Sequence, residues 1–330
     1  MRVTDSATQP RIRIDVLVDD DDRRAELYDA TFWSLRSTPR ELPAVWLYDE
    51  RGSLLFDEIT RLPEYYPTGA EREILMARAA EIAELTRGRT LVELGAGTSE
   101  KTLLLLDAVS AVGTLERFVP LDVSEEVLRA SAEAIAERYP AISVHGIVGD
   151  FERDLAALPP GDGRLIAFLG STVGNLYPER RARLFRAIAA ALAPGDSFLL
   201  GVDLVKDPAV IERAYNDSRG VTEQFVRNAL TRANRELGAD FVQERFAFDA
   251  HWDADRAWMD IGFNAVEAHT VHIAELEVEF ELAEGERLRL EVSSKFRRDG
   301  IESELAGADL RTTGWWTDDA SRFALLLATG

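Results

Sequence analysis

The 330-residue sequence contains no cysteine, only three lysines (Lys101, Lys206 and Lys295) and four histidines. Without cysteine there can be no disulfide, no thiolate metal site and no sulfur nucleophile. His145, His251, His269 and His272 are scattered, with neither metal-ligand spacing nor a serine–aspartate pairing, and each reads as structural. No apolar run approaches the ~20 residues of a membrane span. Residues 1–10 are polar and aperiodic, so they lack the apolar stretch of a signal peptide and read as a disordered start. Basic charge is also short: 38 Lys and Arg stand against 59 Asp and Glu, a formal net charge of −21. No basic cluster offers a face to nucleic acid or an anionic membrane, which argues against both as partners. The hydrophobic content of 46% supplies an ordinary core, and the length suits two domains. A soluble, cytoplasmic, acidic protein is expected.

Along the chain, Ile12, Ile14, Val16 and Val18 alternate as in a strand. The acidic run Asp19–Asp22 then reads as a helix start that suits the positive end of the helix dipole. Helices are expected over about 22–36, 52–61 and 69–87. From Thr90 the pattern becomes strand, turn, helix, repeated. Strands fall near 90–94, 117–121, 142–147, 165–169 and 197–203, separated by helical patterns at Ser99–Val112, Ser124–Arg138 and Glu179–Leu192. This alternation implies parallel strands joined by right-handed crossovers, with ligands at the carboxyl ends. After Asp207 two helices are expected, at 208–215 and 220–237. Strand-like runs at 256–264, 270–281 and 286–296, with a turn at Glu284–Gly285, read as an antiparallel meander. Trp315–Trp316 and Phe323–Leu327 read as a final hairpin.

The run Thr90–Lys101 is a strand, a tight turn at Glu93–Leu94–Gly95–Ala96–Gly97–Thr98, and a helix start. Glycines there let the backbone turn sharply and approach a ligand. A dinucleotide site would want a third glycine where the chain has Glu100, and Ser99 suits a helix cap better than a pyrophosphate cradle. Asp122 ends the second strand, where a carboxylate can accept both ribose hydroxyls. Asp150–Phe151 follows the third strand, where an acid can take an adenine amino group and an aromatic ring can cover its face. Ala193–Pro194–Gly195–Asp196 leads into the fifth strand. Acids after strands often only cap helices, but this ordered set points to S-adenosylmethionine (SAM) ahead of NAD. Methyl transfer also matches the lack of acid–base machinery, since in-line displacement on an unprotonated amine needs mainly positioning and exclusion of water.

Over about residues 38–330 the sequence resembles the histidine-specific Nα-methyltransferases of ergothioneine biosynthesis (EgtD type). The stretches that carry the resemblance are Ile59–Thr68, Glu93–Lys101, Phe168–Leu176, Asp203–Asp207 and Glu291–Phe296. It implies three methyl transfers from SAM to the α-amino group of L-histidine, giving hercynine. By the same resemblance Gly95, Lys101, Asp122, Asp150 and Phe151 match SAM-contacting positions. Tyr48 matches the junction of cofactor and substrate, where it is assigned the catalytic role. Asn175 and Tyr215 match the groups that hold the substrate carboxylate, Tyr65 and Gly170 line the amino-acid end, and Met259, Glu291 and Ser293 match the imidazole pocket. The family often has serine at Ala96 and cysteine at Ser294.

The residues themselves support part of this. In Arg289–Leu290–Glu291–Val292–Ser293, strand alternation puts Glu291 and Ser293 on one face. A carboxylate beside a hydroxyl can read both imidazole nitrogens, although by pattern alone the pair would be read as facing solvent. Tyr215 alone would be an ordinary helix residue and Met259 core filling. The resulting expectation is an α/β protein with a Rossmann-like class I SAM-dependent methyltransferase core at 69–204 and 296–330. A discontinuous α+β substrate-binding domain is expected at 17–68 and 205–295, and the protein should act as a monomer on a small molecule without a metal. The competing readings are methylation of another amino acid, a nicotinamide-dependent dehydrogenase, and a non-catalytic SAM binder.

Overall fold

The computed structural model describes residues 11–17, 20–97 and 101–330. The expectations for residues 1–10, Val18, Asp19, Thr98, Ser99 and Glu100 lie outside the described residues. The chain runs β1 (Ile12–Val16), α1 (Asp20–Ser34), β2 (Arg40–Glu41), α2 (Glu50–Ile59) and α3 (Tyr66–Thr86) before the alternating region. That region comprises β3 (Thr90–Leu94), α4 (Thr102–Val112), β4 (Arg117–Asp122), α5 (Glu125–Arg138), β5 (Ser143–Val148), β6 (Arg164–Phe168), α6 (Pro178–Ala191) and β7 (Ser197–Asp203). Then come α7 (Pro208–Tyr215), α8 (Val221–Leu237), β8 (Phe246–Asp253), β9 (Trp258–Ala265), β10 (His269–Ile273), β11 (Val278–Leu282) and β12 (Arg287–Ser294). The chain closes with α9 (Arg298–Ala306), β13 (Arg311–Thr317) and β14 (Phe323–Thr329).

Eight strands form one sheet in the order β1-β5-β4-β3-β6-β7-β14-β13. β1, β5, β4, β3, β6 and β7 pair in parallel, whereas β14 lies antiparallel to β7 and β13 antiparallel to β14. Strands β3, β6 and β7 are buried on both faces because helices cover each side. The chain leaves β3 toward β4 and β5 and returns to β6 on the other side, so the sheet has its switch point at the carboxyl end of β3. A crevice for a ligand opens there. β1, which the sequence reading left unplaced, extends this sheet beside β5.

A second core lies apart from the sheet. It joins Leu35, Leu42, Trp46, Leu47, Ile59 and Leu62 to buried residues between Ile211 and Leu290. Its sheet has the order β2-β12-β9-β8, and β10–β11 is a separate hairpin. The expected three-strand meander is therefore corrected in two respects. The run 270–281 breaks into two strands at Ala274–Glu277, where Glu277 adopts a left-handed backbone. β12 then passes over that hairpin to pair with β9. β8 and α9 had no counterpart in the sequence reading. Among the described residues no helix is long and apolar enough to cross a membrane.

The turn before β7 has a different role from the other strand-end acids. Asp196 is buried at the amino end of β7 and accepts from Arg164 N at 2.7 Å and Arg164 Nε at 2.8 Å. It therefore locks β6 to β7 at the edge opposite the ligand crevice. Removing one partner of a buried ion pair leaves an uncompensated charge, so Asp196→Ala should destabilise the fold by about 3–5 kcal/mol. Denaturant unfolding should register that loss while calorimetry finds SAM affinity of the folded protein unchanged.

Candidate active site

Gly95 and Gly97 have φ of +68° and +49°, and among the described residues a Cβ on either would meet nothing within 4 Å. The turn is therefore bent by glycine and leaves open space beside it, as a ligand cradle requires. Gly97 N donates to one carboxylate oxygen of Asp122 and Ser124 N to the other, each at 2.9 Å. This fixes the carboxylate at the end of β4, ready for a diol. Asp150 accepts from Glu152 N at 2.8 Å, and burial raises its pKa. The Phe151 ring packs on Phe168 with centroids 4.9 Å apart. A nucleoside with a vicinal diol and a flat base fits these donors, acceptors and apolar faces.

Lys101 stands at the start of α4 and forms an ion pair with the buried Glu71 of α3. Glu71 also accepts from Gly170 N, at 2.8 and 3.0 Å to its two oxygens. One buried carboxylate thus joins the cofactor side to the loop that follows β6. That loop, Gly170–Asn175, is drawn against β12, since a Cβ at Gly174 would come within 2.8 Å of Ser294 O.

On the far side of this loop is a cavity of about 160 Å³. Tyr48, Tyr65, Gly170, Asn175, Tyr215, Glu291 and Ser293 all line it, drawn from five separate stretches of chain. Phe56, Thr172, Asp203, Phe225 and Ile261 complete much of the wall. The aromatic corner is tightly built: Tyr48 meets Phe225 at 5.3 Å and Phe56 at 5.7 Å, and Tyr65 meets Tyr215 at 6.0 Å, all edge to face. Met259 does not line the cavity. It is fully buried in the core, directly across from Ser293 on β9, where it fills space beneath that wall. None of the four histidines is among the lining residues.

The register of β12 explains how Glu291 reaches the cavity. Pairing with β9 shifts between Arg289 and Glu291, leaving Leu290 as an extra residue. Arg289 consequently shares a face with Asp260, to which its Nε donates at 2.7 Å, while Glu291 turns to the other face opposite Ile261. Without this irregularity the arginine would stand beside Glu291 and neutralise it. Among the described residues no donor contacts the Glu291 carboxylate, and none contacts the Asn175 amide.

Behind the cavity lies a charged network that the sequence reading did not assign. Lys295 Nζ donates to Tyr215 Oη at 2.7 Å and to Ser293 Oγ at 2.8 Å, and pairs with Asp203 Oδ2 at 2.9 Å. Lys206 Nζ donates to Asp203 Oδ1 at 2.5 Å and to Tyr66 Oη at 2.7 Å. Tyr66 Oη in turn donates to Asp203 Oδ2 at 2.8 Å. Burial lowers the Lys206 pKa to about 8 against the opposing pull of Asp203, and raises the Tyr65 and Tyr215 hydroxyls well above their usual range. All three lysines of the chain therefore sit around this cleft, each paired with a buried carboxylate. Their scarcity was the available signal, since a chain that elsewhere uses arginine keeps lysine where a compact point charge is needed.

Burial raises the Glu291 pKa to about 7, with Lys295 opposing the shift. A folded-state pKa above the unfolded value of 4.5 means the native protein holds the extra proton. The associated stability is present at low pH and lost as pH rises through about 7. Glu291→Gln should therefore stabilise the ligand-free protein by on the order of 2–3 kcal/mol near pH 8 and have little effect near pH 5. Thermal melts at the two pH values check this, and an equal change at both would refute it.

Comparison with known proteins agrees with this geometry. A family model described as "Histidine-specific methyltransferase, SAM-dependent" matches residues 27–330. A histidine N-alpha-methyltransferase of Mycobacterium tuberculosis is 50% identical over 89% of this chain and 92% of its own. Its counterpart in Mycolicibacterium smegmatis is 49% identical over the same shares. Ergothioneine biosynthesis protein 1 of Neurospora crassa is 32% identical over 84% of this chain, which spans 32% of that longer protein. With a family match across nine-tenths of the chain, a class I methyltransferase sheet and a built crevice at its switch point, this protein is a SAM-dependent methyltransferase of the histidine-specific family.

Proposed function

We propose that the protein transfers methyl groups from SAM to the α-amino group of L-histidine in three successive steps. The products would be hercynine and S-adenosylhomocysteine, in ergothioneine biosynthesis. The observation that carries the reading is the uncompensated Glu291 carboxylate beside the Ser293 hydroxyl on one wall of a small cavity. A neutral imidazole has one N–H and one bare nitrogen, which this pair can satisfy together. Indole, with a donor only, would leave the hydroxyl side without a partner. The names carried by the mycobacterial relatives and the Neurospora protein point the same way.

In this reading the second core, with its part of the N-terminal segment, is the substrate-binding domain. Asn175 and Tyr215 hold the carboxylate, Tyr65 and Gly170 border the amino-acid end, and Met259 supports the ring wall from below. On the cofactor side Gly95, Lys101, Asp122, Asp150 and Phe151 hold SAM, which supplies an electrophilic methyl carbon on a sulfonium. The amine lone pair forms the new N–C bond as the C–S bond breaks toward sulfur. Positioning is the main requirement, because no group has to be protonated for sulfur to leave. The first two methylations each require a proton to leave nitrogen before the next attack. Tyr48 is 41% exposed at the cavity edge and can pass that proton to water. Its ring, packed beside Phe56 and Phe225, also offers a π-face to the growing methylammonium.

Incubation with SAM and each amino acid in turn, read by mass spectrometry, should give three successive methyl increments on histidine and none on tryptophan. Glu291→Ala should raise the histidine KM about 10- to 100-fold through loss of a buried charged hydrogen bond. An unchanged KM would remove the imidazole assignment, and preferential methylation of another amino acid would replace the substrate.

A further inference from the structure

Lys295 has three ammonium hydrogens and three acceptors around it: Tyr215 Oη, Ser293 Oγ and Asp203 Oδ2, at 2.7, 2.8 and 2.9 Å. Its side chain has no exposed surface, so it does not itself meet a ligand. Two of its acceptors are hydroxyls that line the cavity; they share a 2.9 Å hydrogen bond in which either oxygen can donate, and a ligand offering an acceptor to each would draw both protons off that bond toward the cavity. A hydroxyl oxygen that already accepts from a cation becomes a poorer acceptor and a stronger donor for its remaining bond. The positive charge beside both oxygens also disfavours an approaching N–H and favours an approaching lone pair. Asp203 anchors the lysine from the end of β7, held in turn by Lys206 and Tyr66.

We propose that Lys295 is a positioning residue that makes Tyr215 and Ser293 hydrogen-bond donors toward the cavity, so that the site selects a ligand offering a carboxylate at Tyr215 and a bare ring nitrogen at Ser293. The inference rests on the histidine reading above and adds to it a protonation state. The bound ring is neutral and held as one tautomer, with its N–H on Glu291 and its bare nitrogen on Ser293. A ring carrying two N–H groups would set one of them against the Ser293 donor and the ammonium behind it.

Two measurements test this. First, 15N NMR of ring-labelled histidine bound to the wild-type protein with S-adenosylhomocysteine should show one protonated and one bare ring nitrogen. Two protonated nitrogens would overturn the proposal without any variant that could misfold. Second, Lys295→Met should raise the histidine KM about 10- to 100-fold, the loss expected when a charge-assisted partner goes, with a smaller change in kcat. The β-pyrrolylalanine that keeps the N–H toward Glu291 but has C–H in place of the bare nitrogen should lose much less. The wild-type preference for histidine over this analogue should shrink about tenfold in the variant, and Lys295→Arg, which keeps the charge, should restore part of it. A merely structural role would lower both substrates alike, and an unchanged preference overturns the proposal. If wild-type protein binds histidine no better than the analogue, the imidazole assignment itself fails, which the first measurement on wild type distinguishes.

Discussion

The buried carboxylate of Asp203 balances the charge of the cleft, taking two ammonium groups and a phenol at the end of β7. Its backbone is tied down as well, since Phe296 N donates to Asp203 O at 2.8 Å and Asp203 N donates to Ser171 Oγ at 2.9 Å. The central sheet, the loop after β6 and the end of β12 therefore meet at one residue. Lys295, one of those two ammonium groups, also opposes the burial that raises the Glu291 pKa across the cavity. Such a cluster contributes little net stability, because desolvation offsets attraction. Its effect is to fix where hydroxyls and charges point.

Glu71 plays the matching part on the cofactor side. It carries Lys101 and the amide of Gly170, so the same loop is held from α3 on one side and from Asp203 on the other. Asn175 and Gly170 are consequently presented to the cavity by a segment with little freedom to shift. For a reaction that depends on aligning an amine with a methyl carbon, this rigidity is the main thing the protein can supply.

Much of the central sheet was legible because its signals are local. Glycine at positive φ, apolar strands of five to seven residues and amphipathic helices each follow from neighbouring residues. The second core was less legible. The run 270–281 has continuous strand character, and only its packing against Ala239 and the α8 end explains the break into a hairpin. Arg40–Glu41 is too short to announce itself, yet it pairs with β12 and closes one edge of the second sheet. Asp196 was grouped with the ligand-facing acids because acids at strand ends look alike in sequence; which end of the strand they occupy separates a lock from a ligand.

By itself, the sequence determined the ligand crevice and the nature of the chemistry: a glycine turn, an acid at the end of β4, an acid and an aromatic after β5, and no cysteine or histidine constellation to suggest another reaction. The histidine assignment entered through resemblance. Tertiary structure alone decided which side chains act together. The extra residue at Leu290 separates Arg289 from Glu291 and leaves a carboxylate without a partner in the cavity. The three lysines, remote from one another in sequence, converge on two buried carboxylates. Register and burial are properties of pairs of segments, and the energy of an ion depends on what surrounds it, so neither can be read from the order of residues along one strand.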